Sequence, residues 1–221
     1  MGFFVGDPMQ ILTFLIALVI ALTFHEASHA LVSYYLGDPT AKMKGRLSLN
    51  PVAHLDPVGS VIFLITWAIG WGKPVPINPS NFKKPVRDSA LTALAGPLSN
   101  FILAILLAVI LKYLSKYLSE ENALHEFLLL LIYTTFHVNI SLGIFNLFPF
   151  PPLDGSKILG LIVPRKWHRQ YSNYLENGAK YLVVIILVDV FILGRVLGYS
   201  VFGTVMGYLH DRISEILLLG T

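Results

Sequence analysis

The stretch ALVIALTFHEASHALVSYYLG, residues 17–37, decides the fold. It has the character of a bilayer-spanning helix, which needs about 20 mostly apolar residues. Yet His25, Glu26, Ser28 and His29 sit inside it. Ionisable groups at membrane depth are costly, face protein or water rather than lipid, and mark functional sites. Residues four apart share a helix face. His25 and His29 therefore present two imidazoles side by side, a spacing that suits one tetrahedral divalent cation such as zinc. Glu26 points about 100° away from His25, beside a metal rather than on it. There it can take a proton from an attacking water and pass it to a leaving amine.

Composition agrees with a membrane setting. Of 221 residues, 55% are hydrophobic and only 13% charged, about half the charge of an average soluble chain. Mean hydropathy is +0.67. There are no cysteines, which excludes disulfides, thiolate zinc sites and cysteine catalysis. The net charge of +3 gives no ground for a nucleic-acid partner, so the basic residues are read for topology instead. The opening MGFFVGDPMQ lacks a basic n-region and the Ser/Thr of a myristoylation signal, so no cleavable signal peptide is expected.

Four segments have spanning character: 9–36, 90–114, 127–148 and part of 178–209, most clearly 181–197. A fifth apolar run, 58–71, is short for a span and suits a re-entrant piece. The connector 42–57 alternates and suggests a small β-hairpin near the membrane surface; 70–88 is proline-rich and irregular. The expectation is an all-α polytopic membrane protein with four to five transmembrane helices, one re-entrant segment and that hairpin. It forms a single domain over 1–221, with a core at 9–165 and a C-terminal transmembrane region at 178–209. If 58–71 dips in and returns, eleven basic residues up to Arg169 lie on one side and two, Lys112 and Lys116, on the other. If it spans, the best split is eight against five. The positive-inside bias favours the re-entrant reading, with the N-terminus outside and the basic side cytoplasmic.

Zinc needs a third protein ligand and an open position. The best candidate is Asp154 in FNLFPFPPLDGSKIL, 145–159. Pro149, Pro151 and Pro152 stop the preceding helix and hold the chain extended, which aims a carboxylate toward the histidine helix. The competing reading is a surface turn with Asp154 capping the next helix.

HEASH followed by NLFPFPPLDG resembles the site-2 protease family of intramembrane zinc metalloproteases, in its compact branch without an appended sensor domain. LAGPLSNF, with Gly96 and Asn100, resembles that family's small-residue element. The resemblance covers roughly residues 9–165. It implies one Zn²⁺ held by His25, His29 and Asp154, with Glu26 as general base. It also implies that Asn146 orients substrate or steadies an oxyanion, against the equal alternative of a helix-end amide satisfying backbone. Asn100, with Gly96, serves close helix packing more readily than substrate binding. His54, with Asp56, reads as a gate to the site or, more simply, as a surface turn. His137 and Asn139 are candidates for helix-to-helix hydrogen bonds. Asp189, inside an apolar run, pairs with Arg195, faces another helix or lines a water path. The implied activity is hydrolysis of a peptide bond in or beside a transmembrane segment of a protein substrate, as in regulated intramembrane proteolysis. The implied setting is the lipid bilayer of the cell membrane, with the site open to the cytoplasm. An exposed strand in 42–50 is expected to hold the unwound substrate by strand addition. The rival readings are a catalytically inactive scaffold and a metal or proton transporter.

Overall fold

The computed structural model describes residues 7–66, 70–114, 116–117 and 122–218. Residues 67–69 of the short apolar run, residues 1–6 of the N-terminal stretch, and Glu120 and Glu121 lie outside the described residues. The protein is an all-α polytopic membrane protein. Among the described residues, three helices are long and apolar enough to cross a bilayer: α1 (Pro8–Tyr35), α4 (Pro85–Leu114) and α5 (Ala123–Leu147). Between the first two lie the short α2 (Thr40–Met43) and α3 (Pro57–Thr66). After them come α6 (Asp154–Ile158), α7 (His168–Asn177), α8 (Ala179–Leu187) and α9 (Val201–Leu218).

Local chemistry sets the ends of the spans. Pro8 opens α1 and the Asp7 carboxylate accepts from Met9 N, a helix start in which the missing proline N–H leaves no bond unmade. Asn122 caps α5 by accepting from Leu124 N and His125 N. Pro149 follows Phe148 and stops α5. The spans pack through small residues: Ala104 and Ala108 of α4 receive Phe136, Ile140 and Ile144 of α5, the close approach that membrane helices favour. Leu98, Ile102, Leu106 and Val109 are exposed along the outer face of α4, where lipid covers them.

The two ends of the short apolar run meet. Leu55 and Gly72 form an isolated antiparallel bridge, and Lys73 N donates to His54 O at 2.8 Å. The two ends of the α3 segment are thus tied together. Beyond the bridge, residues 73–78 run along the second half of α1, with no ladder partner among the described residues. Pro74 and Pro76 push Lys73 and Val75 into extended backbone and remove the N–H of alternate residues. Val75 N donates to Glu26 at 3.2 Å and Asn78 N to Asp38 at 2.7 Å.

One expectation is corrected. The hairpin in 42–57 does not form, and 42–50 has no strand to offer a substrate: the segment is the end of α2, turns and bends. Its backbone is consumed locally. Arg46 N donates to Ala41 O, and Ser48 O accepts from His54 Nε2 at 2.7 Å. The fourth spanning segment expected within 178–209 corresponds to α8 and its continuation to Gly194. α7 and α8 are bent by 60°, and only as a bent pair reaching Gly194 do they match a fourth crossing. The chain then breaks at 197–200 before α9. Asp189 explains the restart. Its carboxylate accepts from Val201 N (2.8 Å), Phe202 N (3.2 Å) and Ser200 Oγ, so it caps α9 from a distance. α9 runs antiparallel to α5, with Phe202 against Phe145 and Phe148, and His210 Nε2 3.0 Å from His137 Nδ1.

Candidate metal centre

Three side chains from two distant parts of the chain meet in the interior. His25 Nε2 and His29 Nε2 lie 3.0 Å apart on one face of α1. Asp154 Oδ2 lies 3.1 Å from the first and 3.0 Å from the second. All three residues are buried, and their ligating atoms fall within 4.8 Å of one another.

Each group is aimed by what stands behind it. Asp154 is the first residue of α6, and that helix is tucked against the end of α5. A Cβ at Gly155 would collide with Leu147 O and Phe148 O, so only glycine permits the approach. Lys157 Nζ reaches the other carboxylate oxygen at 3.5 Å. On the far side, α4 lies directly against the histidines. A Cβ at Gly96 would collide with His29 Nε2 and stand 2.6 Å from His25 Nε2. Pro97 loosens the preceding turn of α4, and in that turn Thr92 O meets His29 Nδ1 at 2.7 Å.

The tautomers follow from these partners. Thr92 O is acceptor-only, so His29 Nδ1 carries the proton. His25 Nδ1 meets Asn100 Oδ1 at 2.7 Å. That amide cannot be reversed, because Asn100 Nδ2 donates to Ala21 O at 3.2 Å and Asn139 Oδ1 at 2.8 Å. Asn139 in turn donates to Thr135 O at 2.8 Å. With Nδ1 of each ring engaged in this way, the two Nε2 atoms are left facing each other and the Asp154 carboxylate. In the neutral tautomer each Nε2 offers a lone pair, and a cation is the group that would join three such acceptors. A tetrahedral ion with bonds of about 2.0–2.1 Å keeps its donors roughly 3.3 Å apart, close to the separations found. The His₂Asp set fits zinc, with the Nδ1 partners supplying the orienting bonds that metal-binding histidines require.

Glu26 stands beside this group, half-buried, with Val75 N on its carboxylate. Asn146 lies in the last turn of α5, half-buried, and donates to Leu142 O at 3.0 Å. Asn100 is placed under a histidine rather than in a cleft. His54 is buried, bonded to Ser48 O and apart from the ligand group. Sequence reasoning missed Thr92 and Val75, which act through backbone atoms and leave no side-chain signal. It also missed Lys157, which the three-residue spacing from Asp154 would have shown, and Arg46, buried against Lys73 O.

Fold and centre together define a membrane protein with a buried His₂Asp group that could hold a cation, two of its members on one helix. Residues 13–190 match the family model described as Peptidase family M50. The chain belongs to that family, the site-2 proteases. It is 40% identical over 167 residues to "Putative zinc metalloprotease YwhC" of Bacillus subtilis (strain 168), covering 73% of this chain and 74% of that protein. It is 25% identical over 174 residues to "Putative zinc metalloprotease Rip2" of Mycolicibacterium smegmatis (strain ATCC 700084 / mc(2)155), covering 77% of this chain and 64% of that one. No solved structure matches.

Proposed function

We propose that this metalloprotease is an intramembrane zinc endopeptidase, cutting a peptide bond in or near a transmembrane segment of a protein substrate. The observation that carries the reading is the convergence of two imidazole Nε2 atoms and one carboxylate oxygen beside Glu26. His25, His29 and Asp154 hold the ion, and Asn100 and Thr92 keep both imidazoles in the ligating tautomer. Zinc bound there supplies Lewis acidity, polarising the scissile carbonyl and making water a competent nucleophile at neutral pH.

Glu26 takes the proton from the attacking water and delivers it to the leaving nitrogen. Its carboxylate already accepts a backbone N–H from Val75, the same type of group that a leaving amide presents. Asn146 commits one amide hydrogen to Leu142 O and keeps the second for a substrate carbonyl. Hydrocarbon excludes water, so the reaction belongs in a protein-walled cavity open to one aqueous side. The excess of basic residues on the connectors beside Glu26 supports a cytoplasmic opening in the cell membrane.

The test is Glu26→Gln. The purified variant is expected to hold about one zinc per chain and to lose at least about 10²–10⁴-fold in cleavage of a transmembrane peptide. Undiminished cleavage would remove Glu26 from its role. Metal content without cleavage in the unaltered protein would move the reading to a scaffold or a transporter.

A further inference from the structure

Arg46 is a buried guanidinium with donors unused. It is only 4% exposed. Its Nη2 donates to Lys73 O, but Nε and Nη1 are buried without a partner among the described residues. Buried polar groups are almost always satisfied, and a half-used guanidinium is costly to keep.

Its position gives the reason. Lys73 O and Val75 N lie on the same edge of an extended segment, because residues two apart face the same way. Arg46 holds the first and Glu26 the second. The two side chains thus grip one peptide backbone two residues apart, and the Glu26 carboxylate acts electrostatically on the guanidinium. The connector rests where an extended peptide meets the general base: an N–H on the glutamate, a C=O on the arginine, and two arginine donors still free.

We propose that Arg46 is a substrate-binding residue whose unpartnered Nε and Nη1 take a backbone carbonyl of the substrate beside the scissile amide. This rests on Glu26 being the general base. The substrate enters between the connector and α1, and Glu26 exchanges Val75 N for the scissile nitrogen. Arg46 fixes the carbonyl that sets the register of the cut.

The test separates the two claims. In the zinc-loaded Glu26→Gln protein in detergent, the dissociation constant of an uncleaved transmembrane peptide is measured with and without Arg46→Lys. That change keeps one donor for Lys73 O and the positive charge, but loses the paired donors. The expected result is binding at least about tenfold weaker, with zinc content and thermal midpoint unchanged. A series of peptides, each with one flanking C=O replaced by CH₂, is then compared. One replacement is expected to weaken binding about tenfold with Arg46 present and less than about twofold in the Arg46→Lys variant. Equal losses at every position in both proteins overturn the proposal. If Arg46→Lys disturbs zinc or folding, Arg46→Gln is measured in the same peptide series, and equal losses there overturn it too. Because this readout is binding, it stands apart from any failure of Glu26 to act as base.

Discussion

At the scale of single residues, the centre depends on side chains that never touch a metal. Asn100 holds the His25 proton on Nδ1, and Gly96 leaves room for both rings. Asn100→Ala removes an acceptor and strands a buried N–H, so zinc affinity should fall about 10–100-fold while the helices stay packed. Competitive chelation measures this directly. Gly96→Ala places a methyl against both Nε2 atoms, and elemental analysis should find zinc largely lost, with helical content retained. These residues also show what the sequence made legible. His25, Glu26 and His29 declare themselves by spacing within one helix, and Asp154 by a proline-bounded loop before glycine. The roles of Asn100 and Thr92 did not show, because contacts 75 and 63 residues away along the chain have no periodicity to reveal them.

At the scale of elements, two carboxylates join pieces that propensity alone would leave separate. Asp38, fully buried after α1, accepts from Thr40 N (3.1 Å), Thr40 Oγ1 (2.5 Å), Asn81 Nδ2 (2.7 Å) and Asn78 N (2.7 Å). Burial raises its pKa, but these donors outweigh burial and set it below the usual value. Its contribution is therefore complete at neutral pH and is lost as pH falls through the folded-state value. Asp38→Asn should cost about 2–3 kcal/mol at pH 7. The gap in thermal midpoint between variant and parent should narrow as the pH falls below about 4. Asp189 does the same for α9. Asp189→Ala should speed amide hydrogen exchange at Val201 and Phe202 and lower the thermal midpoint. The sequence showed a carboxylate in an apolar run, but not that it serves a helix beginning twelve residues later. The hairpin expected in 42–57 failed for a related reason. Alternation signals a strand only where backbone groups are free to pair, and here Ala41 O and Ser48 O were already claimed.

At the scale of the whole molecule, the bridge between Leu55 and Gly72 governs topology. It ties the two ends of the α3 segment to each other, so the residues before and after it lie close together. The chain has no cysteine, so single probes report cleanly. Leu49→Cys and Lys83→Cys should both react with an impermeant maleimide from the cytoplasmic side, and Tyr117→Cys from the opposite side. Labelling of 49 and 83 from opposite sides would mean that 58–71 crosses. The number of spans was legible for α1, α4 and α5, whose apolar runs are long enough to need no context. The course of the chain after residue 178 was not legible, because the bend before α8 and the break before α9 are set by tertiary contacts.

A lone extended backbone at a membrane surface is ordinarily adhesive, since its open edge invites neighbouring molecules to zip onto it. With proline at 74 and 76, the outward edge of 73–77 can only receive hydrogen bonds, never give them. Two such edges brought together have nothing to exchange, so crowded copies of the protein are kept from gluing to one another along the segment that lies on Glu26.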